Sequence, residues 1–103
     1  MNIQKMLQQA QKMQANLAKT QAELAGKVIE ATAGGGKITV TANGGGDILS
    51  IKIDPSVVDP QDVEMLEDLV LAGVKQAIED ARAMAEGEMK KATGGMSLPG
   101  MPF

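Results

Sequence analysis

Residues 27–53 read KVIEATAGGGKITVTANGGGDILSIKI, and this stretch decides the fold. Three short β-type runs, Lys27–Ala33, Lys37–Ala42 and Asp47–Ile53, are separated by Gly34-Gly35-Gly36 and by Asn43-Gly44-Gly45-Gly46. The second run alternates with period two, Ile38, Val40 and Ala42 on one face and Lys37, Thr39 and Thr41 on the other. The third places Leu49, Ile51 and Ile53 opposite Ser50 and Lys52, which leaves Ile48 on the polar side. Asn-Gly followed by further glycine is a strong hairpin signal. The stretch predicts a three-stranded antiparallel meander with one buried face.

Before it lies a helix. Ile3, Met6, Ala10, Met13, Leu17, Thr20 and Leu24 follow alternating three- and four-residue steps, the a/d seam of a heptad pattern. Asn2 is placed to cap its start, and Gly26 stops it after about Ala25. Lys5, Lys12 and Lys19 recur every seven residues off that seam, among the uncharged donors Gln4, Gln8, Gln11 and Asn16. One stripe seeks a packing partner, and the other offers evenly spaced positive charge to an evenly charged polymer.

After the meander, Asp54-Pro55 ends the sheet. Asp59-Pro60 is expected to open a second helix, with aspartate at the N-cap and proline at the first helical position, running to about Ala92. Val63, Leu66, Val70, Val74, Ala77, Ile78, Ala81 and Ala85 form its apolar stripe, which Gly73 and Gly87 interrupt. Acids crowd its start and Lys90-Lys91 its end, as the helix dipole prefers. Residues 93–103, rich in Gly, Pro and Met, have no period and are expected to form a flexible tail. The chain therefore divides into a single domain, 1–92, and a tail, 93–103.

Such a second helix is about 50 Å long, whereas three strands span only on the order of 10–15 Å. It overhangs the sheet, and its apolar stripe continues past the sheet to Ala85 and Met89. A second copy of the chain is the economical cover, since a three-stranded sheet also leaves unpaired edges. The expected architecture is α+β, an α-β-β-β-α protomer whose three-stranded antiparallel sheet and two long helices form a homodimer with projecting arms.

Composition excludes much. The 103 residues contain no Cys, His, Trp or Tyr, and the single aromatic is Phe103. Disulfides, thiolate zinc sites, a histidine base and base-stacking platforms are thereby ruled out. No cofactor, metal site or small-molecule substrate is expected, and no enzymatic constellation is present. The polar, Gln-rich start and the absence of long apolar runs argue against a signal peptide and a membrane span. The lack of cysteine fits a cytoplasmic protein.

The net charge of −3 argues against a nucleic-acid binder, but the charge is unevenly placed. Six acids, Asp54, Asp59, Asp62, Glu64, Glu67 and Asp68, lie between 54 and 68 without one cation, and the rest of the chain is basic. That acidic zone would repel DNA from one side and fix a docking orientation. Lys75 pairs most economically with Glu79 at i,i+4. Gly36-Lys37 lacks the Ser or Thr of a phosphate-binding loop and enters a strand, so nucleotide binding is rejected.

Four segments together resemble one family: MLQQAQKMQ (6–14), AGGGKITVTANG (33–44), IKIDPSVVDPQDVEMLEDLVLAGVKQA (51–77) and TGGMSLPGMPF (93–103). The chain is similar to the YbaB/EbfC family of bacterial nucleoid-associated proteins over nearly its whole length. The resemblance implies a tweezer-like homodimer that binds double-stranded DNA through its helical arms and alters DNA conformation. It implies roles in nucleoid organisation, gene regulation or DNA protection, and a place in the cytoplasm at the nucleoid. Carried onto this chain, the DNA-contacting residues are Lys5, Lys12 and Lys19 on the first helix, with Lys90 and Lys91 at the end of the second. The alternative is a protein-interaction adaptor with incidental DNA affinity, which the pI near 4.8 and the Met-rich tail favour.

Overall fold

The computed structural model describes residues 2–93. Helix α1 (Ile3–Leu24) leads into strands β1 (Val28–Ala33), β2 (Ile38–Asn43) and β3 (Ile48–Ile53), then a short 3₁₀ turn (Pro55–Val57) and helix α2 (Val63–Ala92). The sheet is antiparallel in the order β1-β2-β3. This is the expected α-β-β-β-α order. Asn2 caps α1 as expected, its side-chain oxygen accepting from the Lys5 backbone N–H. The β1–β2 turn needs its glycines, because Gly34, Gly35 and Gly36 have φ of 63°, 68° and 92°.

The start of α2 differs from expectation. Asp59-Pro60 does not open the helix. Asp59 closes a turn instead, its carboxylate accepting from Gln61 N–H at 2.9 Å and its carbonyl from Asp62 N–H at 2.9 Å. Aspartate followed by proline serves a tight turn as readily as a helix start. Asp62 is the true cap, accepting from Met65 N–H at 3.2 Å.

The register of β3 also differs. A bulge between Thr41 and Ala42 pairs Ile48, not Leu49, with Ala42, while Ile51 still faces Val40. Ile48 therefore shares the side of Ala42 and is not on the polar face. The extra residue is Leu49, a common outcome where a strand twists at a sheet margin.

The core is narrower than one whole sheet face. Ala31, Ile38, Val40 and Ala42 are buried beneath Ala77 and Ala81 of α2, and Ile29, Ala33, Leu66, Leu69, Val70 and Val74 close its rim. Small residues bring α2 down onto β1 and β2. A Cβ at Gly73 would stand 3.1 Å from Val40 Cγ2 and 3.2 Å from Ile38 Cγ2. Every residue of β3 remains exposed, because α2 crosses the other two strands.

The molecule is long. Its extents are 71 × 26 × 16 Å and its radius of gyration is 19.4 Å, against about 13 Å for a compact chain of this length. Helix α1 accounts for the excess. Leu24 is buried at its root and Met13, Leu17 and Thr20 are half-buried, but Ile3, Met6 and Leu7 are more than half exposed. The heptad seam is thus covered at its C-terminal half only, and the other half projects as an arm.

Candidate nucleic-acid interface

The arm fixes where the lysine stripe lies. Met13, Leu17, Thr20 and Leu24 turn one side of α1 inward, and Lys5, Lys12 and Lys19, off that seam, are all exposed. Among the described residues none of the three belongs to an ion pair. No acid precedes Glu23 on this helix, so the charge along it is of one sign. Seven helical residues advance about 10.5 Å, so the three lysines are spread along about 21 Å of the arm.

The second lysine set stands at the end of α2. Lys90 is exposed and outside the ion pairs of the described residues, whereas Lys91 approaches Glu88 at 3.7 Å. Glu88 also receives the Lys27 ammonium at 3.0 Å. Its carboxyl is held below its ordinary value, chiefly by the hydrogen bond from Lys27, against a desolvation effect that raises it. The fold therefore brings Lys27, just before β1, to the end of α2. Lys27 was missed from the sequence because no local pattern links it to Glu88. Its position just past Gly26, where α1 ends, was the one available hint.

The root of α1 and the end of α2 are neighbours, since Gln21 and Leu24 share a cleft with Ala85 and Met89. Both lysine sets consequently occupy one end of the molecule. The acids of the α2 start, Glu64, Glu67 and Asp68, are exposed at the other end. Glu64 and Glu88 are about 36 Å apart along the helix. The expected Lys75–Glu79 pair is not among the ion pairs of the described residues. Gln76 Nε2 instead donates to Asp80 Oδ1 at 2.9 Å in the same turn.

A separate surface is apolar. Leu49, Ile51 and Ile53 of β3 and Leu71 and Ile78 of α2 are 39–53% exposed. Ile53, Leu66, Glu67, Val70, Leu71 and Val74 line a shallow groove of about 450 Å³. The open edge of β3 adjoins it. A contiguous apolar face of this kind marks a contact surface. Among the described residues, no helix is long and apolar enough to cross a membrane.

The chain is similar to known proteins in sequence and in fold. Residues 1–96 match the model of the YbaB/EbfC DNA-binding family. A nucleoid-associated protein of Clostridium novyi is 55% identical over 98% of this chain and 89% of its own length. One from Alkaliphilus metalliredigens is 52% identical over 97% and 88%, and one from Thermoanaerobacter pseudethanolicus is 53% identical over 97% and 90%. The crystal structure of an uncharacterized protein from Helicobacter pylori has the same fold, with a TM-score of 0.74. It matches over 94% of this chain and 99% of that one at 16% identity.

Proposed function

The chain belongs to the YbaB/EbfC DNA-binding family, and from that premise we infer that it grips double-stranded DNA as a homodimer and alters its conformation. The observation that carries this reading is the arm: three exposed lysines recurring every seven residues, outside the ion pairs of the described residues and on a helix without an acid before Glu23. Lys5, Lys12 and Lys19 make the main phosphate contacts. Lys90 and Lys91 add contacts at the base of the arm, Lys91 in competition with Glu88. Such contacts hold the backbone without reading bases. With one arginine and no Trp or Tyr, the chain has little means to read bases or to wedge between them. The acidic end at Glu64, Glu67 and Asp68 faces away from the duplex and sets its orientation.

The apolar face of β3 and α2 supports the dimer. A second copy covers it and the β3 edge together, leaving both arms free. Residues 1–92 act as the DNA-binding domain, and residues 93–103, of which 94–103 lie outside the described residues, form an appended tail. The family is one of DNA-binding proteins and not an enzyme family. The work of this chain lies in nucleoid organisation, gene regulation or DNA protection, in the cytoplasm at the nucleoid. The adaptor reading draws on the same apolar face, and DNA titration separates the two.

The test is fluorescence anisotropy with labelled duplex across a salt series, for wild type and a Lys5/Lys12/Lys19→Ala variant. Affinity should fall steeply with salt, and the slope should shrink in the variant by up to about 2.7, the share of three phosphates. Unchanged binding in the variant would discard the arm as the site. Absence of wild-type binding at low salt would leave the adaptor.

A further inference from the structure

The C-terminal end of α1 is held by another part of the fold. Its Leu24 carbonyl accepts from Gly44 N–H at 2.9 Å, a donor shared with the Lys27 carbonyl at 2.9 Å, and from Lys27 N–H at 3.1 Å. Its Ala25 carbonyl accepts from Asn43 Nδ2 at 3.2 Å. These are carbonyls that a helix end leaves unpaired; Asn43 is the last residue of β2 and Gly44 the first of the β2–β3 turn. Asn43 is only 5% exposed, and its amide is fully used. Its Oδ1 accepts from the N–H groups of Gly45 and Asp47, at 3.0 Å each, and its Nδ2 also donates to Asp47 Oδ2 at 3.3 Å.

Packing at the same point is close. A Cβ at position 44 would stand 2.6 Å from Leu24 Cδ2 and 2.9 Å from both Leu24 Cβ and the Leu24 carbonyl oxygen. Two of those three atoms cannot swing aside without moving the helix. Beside this contact the root of α1 borders a cleft of about 370 Å³, lined by Gln21, Leu24, Gly44, Gly45, Ala85 and Met89, so the close contact with Gly44 is what limits its tilt.

We propose that Asn43 and Gly44 are positioning residues, a socket that sets the direction in which the α1 arm leaves the sheet and so places the lysine stripe on DNA. The second half of this statement rests on the DNA-binding reading above. Leverage makes the socket matter. Lys5 lies about 29 Å from Leu24 along the helix and Lys19 about 7.5 Å. A tilt of about 5° at the root moves Lys5 by roughly 2.5 Å and Lys19 by under about 1 Å. The stripe then diverges from the phosphates it tracks.

The chain has no cysteine, so Gln9→Cys and Asp59→Cys, both at exposed positions, accept spin labels at two defined sites. Pulsed dipolar EPR on this doubly labelled protein, diluted in excess unlabelled protein, reads the distance from arm to body within one chain. The parent should give one narrow distribution. Gly44→Ala and Asn43→Asp should shift or broaden it. Asp keeps the acceptors for the Gly45 and Asp47 N–H groups but cannot, when ionised, donate to the Ala25 carbonyl or to Asp47 Oδ2, and it sets negative charge against both the helix end and the Asp47 carboxylate. Gly87→Ala, whose added Cβ meets open space, should leave the distribution unchanged.

Without labels, the Gly44 and Asn43 variants should bind duplex DNA on the order of tenfold more weakly at fixed low salt, with a shallower salt slope. Distributions in both variants that superimpose on the parent would overturn the socket. A displaced arm with undiminished DNA affinity would overturn its role in the grip. A parent that fails to bind DNA at all, while its arm still responds to Asn43→Asp, would remove the DNA-binding reading and leave the socket as an arm-directing contact. Should Gly44→Ala lose its helical circular dichroism, the Asn43→Asp comparison decides alone.

Discussion

The Lys27 ammonium stands 3.0 Å from the carboxylate of Glu88, tying the link between α1 and β1 to the far end of the last helix. The same carboxylate lies 3.7 Å from Lys91. One acid thus occupies two cations at the base of the arm. Glu88→Gln releases both, and duplex DNA should bind the variant more tightly, with a salt slope steeper by up to about 1.8. The pair lies at the surface, where such ties contribute little to stability, so the melting temperature should barely move. Anisotropy across a salt series, beside a thermal melt, checks both statements.

Acid should loosen this tie in a defined direction. Glu88 is held below its ordinary value of 4.5, chiefly by Lys27, and Asp54 below 3.8, chiefly by the Ser56 backbone N–H and then the Ser56 side chain, with Lys37 a lesser cause. A carboxyl lowered in the folded state binds fewer protons there than in the unfolded chain, so stability rises with pH across that window. The contribution is complete above 4.5 and 3.8 and is lost as pH falls through the lowered values. Because the carboxylate is at the surface, urea unfolding of wild type and Glu88→Gln at a series of pH values should show at most a small difference near neutrality, one that closes in acid.

The helix–sheet contact should tolerate almost no added volume at Gly73. Alanine there gains up to about 1 kcal/mol of helix propensity, but its Cβ must stand within 3.1 Å of Val40 and 3.2 Å of Ile38, both fully buried on the central strand. These side chains must give by a few tenths of an ångström, which offsets the propensity gain. Gly73→Ala should therefore come out near neutral. Gly73→Leu should lose about 1–3 kcal/mol or more by overpacking. Denaturant midpoints at constant m-value would measure this.

The apolar face makes a separate prediction about mass. Ile51 is 43% exposed in the single chain, so a charge there costs the protomer little. Placed in a dimer interface, the same charge is buried without a partner and costs several kcal/mol. Light scattering should give wild type twice the 10.7 kDa chain mass and Ile51→Asp the mass of one chain, with its circular dichroism intact. A monomeric wild type would contradict the proposed assembly.

Much of this fold is written locally. The alternation of Ile38, Val40 and Ala42 with Thr39 and Thr41, bounded by Gly34–Gly36 and Asn43-Gly44, suffices to place β2 and its buried face. The start of α2 was ambiguous because Asp59-Pro60 and Asp62 both carry the chemistry of a cap, and hydrogen bonds within the turn decided between them. Ile48 was misplaced for a different reason: the bulge opposite Thr41 and Ala42 is a property of paired strands, which periodicity within one strand does not encode. At the candidate site, the period of Lys5, Lys12 and Lys19 was legible, but their exposure depended on Met13, Leu17 and Leu24 packing inward. Lys27 and Glu88 meet only through the tertiary fold, and so does the grip of Asn43 on Ala25.

The projecting half of α1 has a consequence for how many copies a genome can hold. Lys5 and Lys19 stand about 21 Å apart along the helix, so one arm laid on B-form DNA, which rises about 3.4 Å per base pair, masks roughly six base pairs. Gaps shorter than that between two bound molecules admit no third. Partial coverage therefore leaves many stretches of DNA bare yet closed to further copies, and full saturation requires bound molecules to slide or dissociate and rebind.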